Sequence, residues 1–378
     1  MMKKALINAR LLLEGDWRTG QALLIDGETI AGICPEVDVP DVYAREDMGG
    51  GYLVPGFIDV QANGGGGVLL NDAKDLTDLE RIARAHRAFG TTALLPTLIT
   101  TSWTRMQEVA ALIRAAIAEK MPGIAGIHFE GPYLNSARKG VHNAAHIRAM
   151  DDGFMELVGA GDLGSVVVTL APEMVEPARI ARLVEAGVIV SAGHSTAGYE
   201  EMKAAIAAGL SGVTHLYNAM PPMESRAPGL IGAALNSPEC YCGFINDGHH
   251  VHPATLKAAI AAKGPARTML VTDAMATVGT EMTNFQLGNQ AIRAAGGRLT
   301  TQDGTLAGSI LDMASAVRNA VALLDQPLET AIEMASGVPA AFLGQAAQRG
   351  KIAPGLAADL VLLDDEIKVK RSWIAGRE

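Results

Sequence analysis

From Gly56 onward, short apolar runs alternate with segments whose apolar residues recur at helical spacing. The helical segments include "LTDLERIARAHRAFG", "TSWTRMQEVAALIRAAIAEK" and "PATLKAAIAAKG", and several end in glycine, as helix C-termini commonly do. Repeated strand-then-helix units are typical of an α/β fold, and eight of them favour a (β/α)8 TIM barrel over an open sheet. The predicted strands are "GFIDVQANG", "TTALLPTL", "GIAGIHFEG", "VVVTLAPE", "VIVSAGHS", "GVTHLYNAM", "CGFINDG" and "TMLVTDAM".

The two ends of the chain show a different pattern, because strand-like runs and turns replace the helical periodicity there. Asp26-Gly27 lies between two apolar runs and predicts a hairpin, and Asp364-Asp365 predicts the turn of another near the C-terminus. We therefore predict a small β-rich domain formed by residues 1–53 and 350–378, with the barrel spanning residues 54–349.

Composition narrows the class of protein. The 378 residues are 49% apolar and 19% charged, enough to build a large core, and the net charge is −10. An acidic chain offers no overall basic surface, so we expect neither nucleic acid nor a membrane as a partner. No apolar run reaches the ~18 residues of a membrane span, and the first residues lack the pattern of a signal peptide. Three cysteines are too few for a disulfide framework, so we expect a cytoplasmic protein.

Polar residues stand at the C-terminal end of nearly every predicted strand, where a barrel of this type carries its chemistry. Glu130, His194 and His215 end the third, fifth and sixth strands and form a ligand set typical of catalytic zinc. Each histidine alone is more often a hydrogen-bonded core residue, but three such residues at equivalent strand ends favour a metal site. The polar strand-end residues are Gln61, Asn63, Thr97, His128, Glu130, Glu173, His194, His215, Asn218, Asn246, Asp247 and Asp273.

Further candidates for catalysis and binding follow the same strand ends. Asp273 ends the eighth strand and can act as a general acid and base, with capping of the next turn as the alternative. His142, in the loop after the third strand, could stabilise an oxyanion, although a surface position fits the sequence equally well. Arg226, after the sixth strand, and a histidine cluster after the seventh could hold an anion.

Nine motifs together resemble, in the same order, those of the N-acetylglucosamine-6-phosphate deacetylase family of the amidohydrolase superfamily. The resemblance runs from Val54 to Gly350, and "FEGP" and "HLYNAM" are its most specific parts. It implies a barrel with a small β-sandwich built from both chain ends, and a homodimer. It also implies hydrolysis of N-acetylglucosamine 6-phosphate to glucosamine 6-phosphate and acetate, in amino-sugar catabolism and cell-wall sugar recycling. The motifs are "PGFIDVQANGGGG", "HFEGPYLN", "KGVHN", "VTLAPE", "SAGHS", "THLYNAMPP", "DGHHV", "LVTDAM" and "GTLAGS".

The resemblance also implies roles for individual residues. Glu130, His194 and His215 match the metal ligands, and Asp273 matches the catalytic acid and base. Arg226 matches a phosphate-binding arginine, and the resemblance leaves open whether it serves its own subunit or the neighbouring one. The other positions that match substrate-binding residues are Val141, His142, Asn218, Ala219, His250, Leu306, Ala307 and Gly308.

Two departures from the wider superfamily predict one metal ion per subunit rather than two. The first strand ends in Gln61-Ala62-Asn63 where many amidohydrolases carry His-x-His, and amide side chains are poor zinc ligands. No lysine occurs between Lys139 and Lys203, where a bridging carboxylated lysine would lie. We expect Gln61 and Asn63 to position solvent or side chains instead. The predicted cofactor is one divalent metal, Zn²⁺ first, with Fe²⁺, Mn²⁺ and Co²⁺ as alternatives.

The sequence leaves alternative functions open. Ala307 stands where serine is frequent in the family, so the substrate could be a related N-acetyl amino sugar, either the galacto isomer or an unphosphorylated sugar. A cyclic-amide hydrolase is disfavoured, because His-x-His and the bridging lysine are missing. A barrel that has lost catalysis is disfavoured, because all three ligand candidates and Asp273 are present.

Overall fold

The computed structural model describes residues 3–378, and the chain begins with seven strands that lie outside the barrel. The predicted hairpin at Asp26-Gly27 is present between the fourth and fifth of them. These strands are β1 (Lys4–Ile7), β2 (Arg10–Leu13), β3 (Asp16–Arg18), β4 (Gln21–Asp26), β5 (Thr29–Pro35), β6 (Ala44–Asp47) and β7 (Tyr52–Pro55).

The barrel follows, and each of the eight predicted apolar runs overlaps one of its strands. Its strands are β8 (Phe57–Ala62), β11 (Thr91–Ile99), β12 (Gly126–Glu130), β13 (Ser165–Leu170), β14 (Ile189–Ala192), β15 (Gly212–Val213), β16 (Tyr241–Phe244) and β17 (Thr268–Leu270), while β9 (Gly64–Gly65) and β10 (Val68–Leu69) form a hairpin at its rim. The helices between them are α1 (Leu76–Arg87), α2 (Trp103–Ala118), α3 (Asp152–Gly159), α4 (Pro177–Glu185), α5 (Tyr199–Ala207), α6 (Gly229–Asn236) and α7 (Pro253–Lys263).

After the last barrel strand the chain forms a small antiparallel sheet above the barrel mouth and then returns to the terminal domain. This part comprises β18 (Asn284–Leu287), β19 (Gln290–Ala295), β20 (Arg298–Thr300), α8 (Met313–Leu324), α9 (Leu328–Ala335), α10 (Gly337–Phe342), β21 (Leu360–Leu363) and β22 (Val369–Trp373). Single turns of 3₁₀ helix lie at Glu36–Asp38, Leu70–Asp72, Ser136–Arg138, Ala144–His146, Pro172–Met174 and Pro265–Arg267.

The barrel strands pair in parallel with their neighbours along the chain, and hydrogen bonds at the strand ends join the first strand to the eighth. The backbone N–H of Asp273 donates to the carbonyl of Gln61 at 2.8 Å, and that of Asn63 donates to the carbonyl of Ala274 at 2.7 Å. Both faces of these strands are buried, which explains their continuous apolar runs. Closure of the barrel therefore takes place at candidate site residues.

Two sheets at the chain ends pack face to face. The four-stranded sheet has the order β5-β4-β1-β6, and the five-stranded sheet has the order β22-β21-β7-β2-β3 and combines strands from both ends of the chain. Leu6 and Leu23 from the first sheet share one buried core with Leu53, Leu360 and Trp373 from the second. The predicted fold class, a (β/α)8 barrel with a small β-sandwich, is confirmed.

The division of the chain at residues 53/54 and 349/350 stays a prediction. Strand β7 spans residues 52–55 and pairs with β2 and β21, so the first limit falls inside a strand of the terminal sheet. Residues 1 and 2 of the predicted small domain lie outside the described part. Among the described residues, every helix is too short or too polar to cross a membrane.

Candidate metal and catalytic site

Three side chains from separate strand ends converge at the centre of the barrel mouth. Glu130 is the last residue of β12, His194 follows β14, and His215 follows β15. Both histidines point Nε2 at the same carboxylate oxygen, with Glu130 Oε1 lying 3.2 Å from His194 and 3.0 Å from His215. The two Nε2 atoms are themselves 3.1 Å apart, and all three residues are buried. The predicted ligand candidates are thus brought together in one cluster.

The backbone turns sharply where these side chains leave their strands. His194, His215 and Asp273 have φ values of 50°, 33° and 50°, in the left-handed region that residues other than glycine seldom adopt. Such conformations persist only where surrounding contacts enforce them, and they are concentrated at functional sites. The turns let side chains from separate strands point at one place.

The hydrogen bond at Nδ1 of His194 determines whether its Nε2 carries a proton or a lone pair. Its Nδ1 lies 2.8 Å from the carbonyl oxygen of Arg138, which can only accept, so the Nδ1 atom carries the proton. In a neutral imidazole Nε2 then has a lone pair, and this lone pair faces an oxygen of Glu130 and a nitrogen of His215. Electron pairs so close together need a positive charge between them. Two imidazole nitrogens and one carboxylate oxygen with an outer-shell carbonyl fit a divalent metal site.

The electrostatics of the cluster point the same way. Burial alone would raise the pKa of Glu130, but the facing His194 and His215 hold that pKa well below its usual value. Burial opposes protonation of His215, yet the adjacent carboxylate outweighs it and raises the pKa of this histidine. The environment therefore favours an ionised Glu130 with positive charge beside it, which is the charge a metal cation supplies.

Asp273 lies next to this cluster and is oriented by two amides. Asn63 Nδ2 donates to Asp273 Oδ1 at 2.7 Å, and Gln61 Nε2 donates to the same oxygen at 3.2 Å and to Glu130 Oε1 at 3.3 Å. These amides must point their N–H groups at the carboxylates, since their oxygens would be repelled. Within residues 3–378, Asp273 Oδ2 accepts no hydrogen bond from a side chain. Burial, together with the negative charge of Glu130, raises the pKa of Asp273 to about 6, so it is still mainly a carboxylate at neutral pH.

His142 lies on the other side of the cluster, with its ring centroid 4.3 Å from that of His194. Its Nδ1 is 2.8 Å from the hydroxyl of Thr100. Burial and the neighbouring His194 keep the pKa of His142 well below its usual value, so the ring is neutral at neutral pH. The surface position that the sequence allowed for His142 is therefore wrong, because this side chain is buried.

A cavity of about 370 Å³ opens above the cluster, a volume that suits a small ligand. The predicted site residues that line it are Asn63, Glu130, Val141, His142, His194, His215, Asn218, Ala219, His250, Asp273, Leu306 and Gly308. Gln61 lies behind them, hydrogen-bonded to both carboxylates. Two predicted residues lie elsewhere: Arg226 is exposed on the loop before α6, and the methyl group of Ala307 is buried in an apolar cluster beneath β18–β20.

The structure adds contacts that the sequence analysis missed. Strand β11 runs to Ile99, so the side chain at its end is Thr100 rather than Thr97, whose hydroxyl lies inside the barrel. His128 also points into the barrel, where its Nε2 lies 2.7 Å from the hydroxyl of Thr169. Extending the second apolar run to Thr100 in the sequence would have identified that residue. No sequence signal marks the Arg138 carbonyl, because every residue has one.

The fold and the site define a barrel hydrolase with a divalent-metal site. The model of the amidohydrolase family matches residues 52–378, which is most of the chain. The chain therefore belongs to the amidohydrolase family, and the resemblance that the motifs indicated is confirmed.

Individual relatives are similar along most of their length. An N-acetylgalactosamine-6-phosphate deacetylase of Shewanella sp. (strain ANA-3) is 50% identical over 326 residues, covering 86% of this chain and 82% of that protein. The N-acetylglucosamine-6-phosphate deacetylase of Homo sapiens is 36% identical over 388 residues, covering 99% and 93%.

Two solved structures extend the likeness to three dimensions. The N-acetylglucosamine-6-phosphate deacetylase of Pasteurella multocida superposes with a TM-score of 0.95 at 34% identity, covering 99% of this chain and 98% of that one. A mutant of the Mycobacterium smegmatis enzyme in complex with N-acetyl-D-glucosamine 6-phosphate gives a TM-score of 0.92 at 32% identity, covering 100% and 99%.

We predict that Glu130→Gln abolishes most metal binding, because the amide removes the negative charge from a site where two imidazoles converge. Elemental analysis by plasma mass spectrometry after dialysis should fall from about one equivalent of divalent metal per chain to a small fraction. Glu185→Gln, an exposed residue of α4, serves as the matched control and should retain its metal. Full metal content in folded Glu130→Gln protein would remove Glu130 from the ligand set.

Proposed function

We propose that this protein hydrolyses the acetamide of N-acetyl-D-glucosamine 6-phosphate to glucosamine 6-phosphate and acetate, in amino-sugar catabolism and cell-wall sugar recycling. The observation that carries the proposal is the buried Glu130–His194–His215 cluster beside Asp273, in a cavity of sugar size. Relatives named for this activity are 32–36% identical and align over most of their length.

A second candidate substrate is N-acetyl-D-galactosamine 6-phosphate. The Shewanella relative named for that substrate is 50% identical to this chain. The two sugars differ only in the configuration of the hydroxyl at C4, and the amide that breaks is the same in both. The same chemistry therefore applies to either sugar, and we propose that the choice depends on the cavity wall near Val141, Leu306 and Gly308.

The residues of the site have separate proposed roles in the reaction, namely metal binding and proton transfer. Glu130, His194 and His215 would hold a divalent metal, which would supply Lewis acidity when bound. Asp273, with Oδ1 anchored by Asn63, takes a proton at Oδ2 from the attacking water as the water oxygen bonds to the amide carbonyl carbon. The same proton then passes to the amine nitrogen as the C–N bond breaks. The products are the free amino sugar phosphate and acetate.

His142 and Thr100 together provide a hydrogen bond to the oxygen that becomes negatively charged. The one proton of the Thr100 hydroxyl can go to the carbonyl of Glu130 at 3.2 Å or to His142 Nδ1 at 2.8 Å. We propose that it goes to the closer His142 Nδ1, because the carbonyl of Glu130 already accepts from the backbone N–H of Thr100 at 3.0 Å. With that arrangement, Nε2 of the neutral ring would carry the proton and donate into the cavity. This is the tautomer that stabilises an oxyanion.

The phosphate group is proposed to bind near Asn218, Ala219 and His250. Backbone φ alternates in sign from His215 through Tyr217 to Ala219, a pattern of the main-chain nests that bind anions. The backbone N–H of Ala219 makes no hydrogen bond within residues 3–378 and is available to a ligand. Asp247 Oδ2 lies 2.7 Å from His250 Nδ1, which leaves Nε2 of that ring for the phosphate.

Arg226 is proposed to complete the phosphate site across the interface of a homodimer. Its side chain is exposed on the loop before α6 and does not line the cavity of its own subunit. A guanidinium on an exposed loop can pair with a phosphate bound in a neighbouring subunit.

Zn²⁺ is the proposed metal, one per subunit, since two imidazoles and a carboxylate suit it. The unpaired Cys34, Cys240 and Cys242 support a reducing, cytoplasmic location.

The substrate proposal is tested by acetate release from metal-loaded protein. We expect kcat/KM for N-acetylglucosamine 6-phosphate to exceed that for unphosphorylated N-acetylglucosamine by at least about 10-fold, because the phosphate adds charge-assisted hydrogen bonds. The galacto 6-phosphate is measured alongside. A higher kcat/KM for the galacto isomer would replace the substrate by the second candidate, and equal rates on the unphosphorylated sugar would contradict both.

Asp273→Asn tests the proton-transfer role. The amide cannot take a proton from water, so kcat should fall by about 100-fold or more, while metal content stays at the level of the parent protein. Both quantities are measured on the same preparation. Turnover within a few-fold of the parent, with metal bound, would exclude Asp273 as the acid and base.

Arg226→Ala tests phosphate binding and the source of the arginine. KM for the phosphorylated sugar should rise about 10-fold or more, with little change for the unphosphorylated sugar, whereas the exposed Arg18→Ala control should alter neither. Mixed dimers of Arg226→Ala and Asp273→Asn subunits then separate two arrangements. If Arg226 acts across the interface, the mixed dimer regains one intact site; if activity stays at the level of the variants, it acts within its own subunit.

A further inference from the structure

Strand β13 stands between the two strands that carry Glu130 and His194, yet it contributes no metal ligand. Its chain continues into the single 3₁₀ turn Pro172–Met174, where Glu173 lies half-buried beside the barrel mouth. Glu173 does not line the cavity and does not touch the metal cluster. The mechanism therefore leaves this carboxylate without a role, although it accepts several hydrogen bonds.

The carboxylate of Glu173 links two loops. Its Oε2 accepts from the hydroxyl of Ser195 at 2.6 Å, and its Oε1 accepts from both the backbone N–H and the hydroxyl of Thr196, at 2.5 and 3.0 Å. Oε1 also accepts from Asn135 Nδ2 at 3.0 Å. Ser195 and Thr196 directly follow His194, and Asn135 lies in the loop that follows Glu130. One side chain thus holds the segments behind two metal ligands.

The loop that Glu173 anchors through Asn135 makes hydrogen bonds to both the backbone and the ring of His194. The backbone N–H of Asn135 donates to the carbonyl of His194 at 3.0 Å. Three residues after Asn135, the carbonyl of Arg138 accepts the proton of His194 Nδ1. The orientation and the tautomer of the ligand ring therefore both depend on the loop that Asn135 anchors to Glu173.

The backbone of His194 needs such support, because its φ of 50° is unfavourable for a residue with a side chain. We propose that Glu173 is a positioning residue that holds His194 in its strained backbone conformation and fixes the loop behind Glu130, so that both point at one metal ion. The inference rests on the metal-dependent activity proposed above, but it concerns metal retention and is independent of the substrate.

Stabilisation of helix α5 is the competing explanation for these hydrogen bonds, since Thr196 lies just before it. That helix has its own cap, because the side chain of Glu201 accepts from the backbone N–H of Gly198 at 2.7 Å. Glu173 is therefore not needed to begin α5. Its contacts are concentrated instead on the residue pair that follows His194.

The test measures the first-order rate of metal loss from zinc-loaded protein into excess chelator, with no substrate present. Glu173→Ala should lose metal about 10-fold faster than the parent protein or more, because loss of the support behind metal ligands weakens metal binding by roughly 10- to 100-fold. Glu173→Gln keeps an acceptor oxygen for Thr196 and Asn135 and should lie closer to the parent. Glu176→Ala, an exposed carboxylate three residues further along, should match the parent rate.

A second readout separates positioning from general stability. Glu173→Ala should lower the melting temperature of the zinc-loaded protein more than that of the chelator-treated protein. Equal decreases in both forms, or metal loss at the parent rate, would overturn the proposal.

If Glu173→Ala does not fold, Asn135→Asp gives the same test. It keeps the acceptor that Asn135 Oδ1 offers to the backbone N–H of Ala137 but places two carboxylates against each other. Faster metal loss supports the proposal, and the parent rate contradicts it. The rates of metal loss are measured without substrate, so they do not depend on which sugar the protein hydrolyses. The positioning proposal and the substrate proposal can therefore be contradicted independently.

Discussion

The site depends on the electrostatic consequence of bringing three electron-pair donors together in a buried place. Glu130 Oε1 and the Nε2 atoms of His194 and His215 approach one another to 3.0–3.2 Å, and such a cluster is unfavourable without positive charge at its centre. A divalent cation meets that requirement. The left-handed backbone of His194 and His215 directs both side chains at Glu130. The carbonyl of Arg138 fixes the orientation of the His194 ring.

The barrel makes the convergence possible because parallel strands end at one rim. The candidate ligands at the ends of β12, β14 and β15 reach the same point from different directions, and Asp273 reaches it from the end of β17. Asp273 and Gln61 are also joined by a main-chain hydrogen bond that closes the barrel between its first and eighth strands. The position of Asp273, the proposed acid and base, is therefore set by the same contacts that complete the fold, which limit its freedom to move away from the Glu130–His194–His215 cluster.

Periodicity was sufficient to predict the eight barrel strands, since buried parallel strands and amphipathic helices have distinct patterns. The same rule predicted that Glu130, His194, His215 and Asp273 would meet, because strand ends share a rim. The rule was wrong for Thr97 and His128, because it does not give the distance of a side chain from the rim. Both residues stand near strand ends, but their side chains lie inside the barrel. Contacts through the backbone have no signature in residue type, so the Arg138 carbonyl could not be predicted. Arg226 is exposed and does not line the cavity, because the direction of a loop side chain follows from the loop conformation, which apolar periodicity does not encode.

We expect Glu130, His194 and His215 to hold one divalent metal beside Asp273. The decisive measurement is anomalous X-ray diffraction from crystals of the zinc-loaded protein, recorded on both sides of the zinc absorption edge. We expect a single strong peak per chain, about 2.0–2.2 Å from a Glu130 carboxylate oxygen and from the Nε2 atoms of His194 and His215. A peak coordinated by Gln61 or Asn63, a second peak of equal strength in the cavity, or none among these three side chains would contradict it.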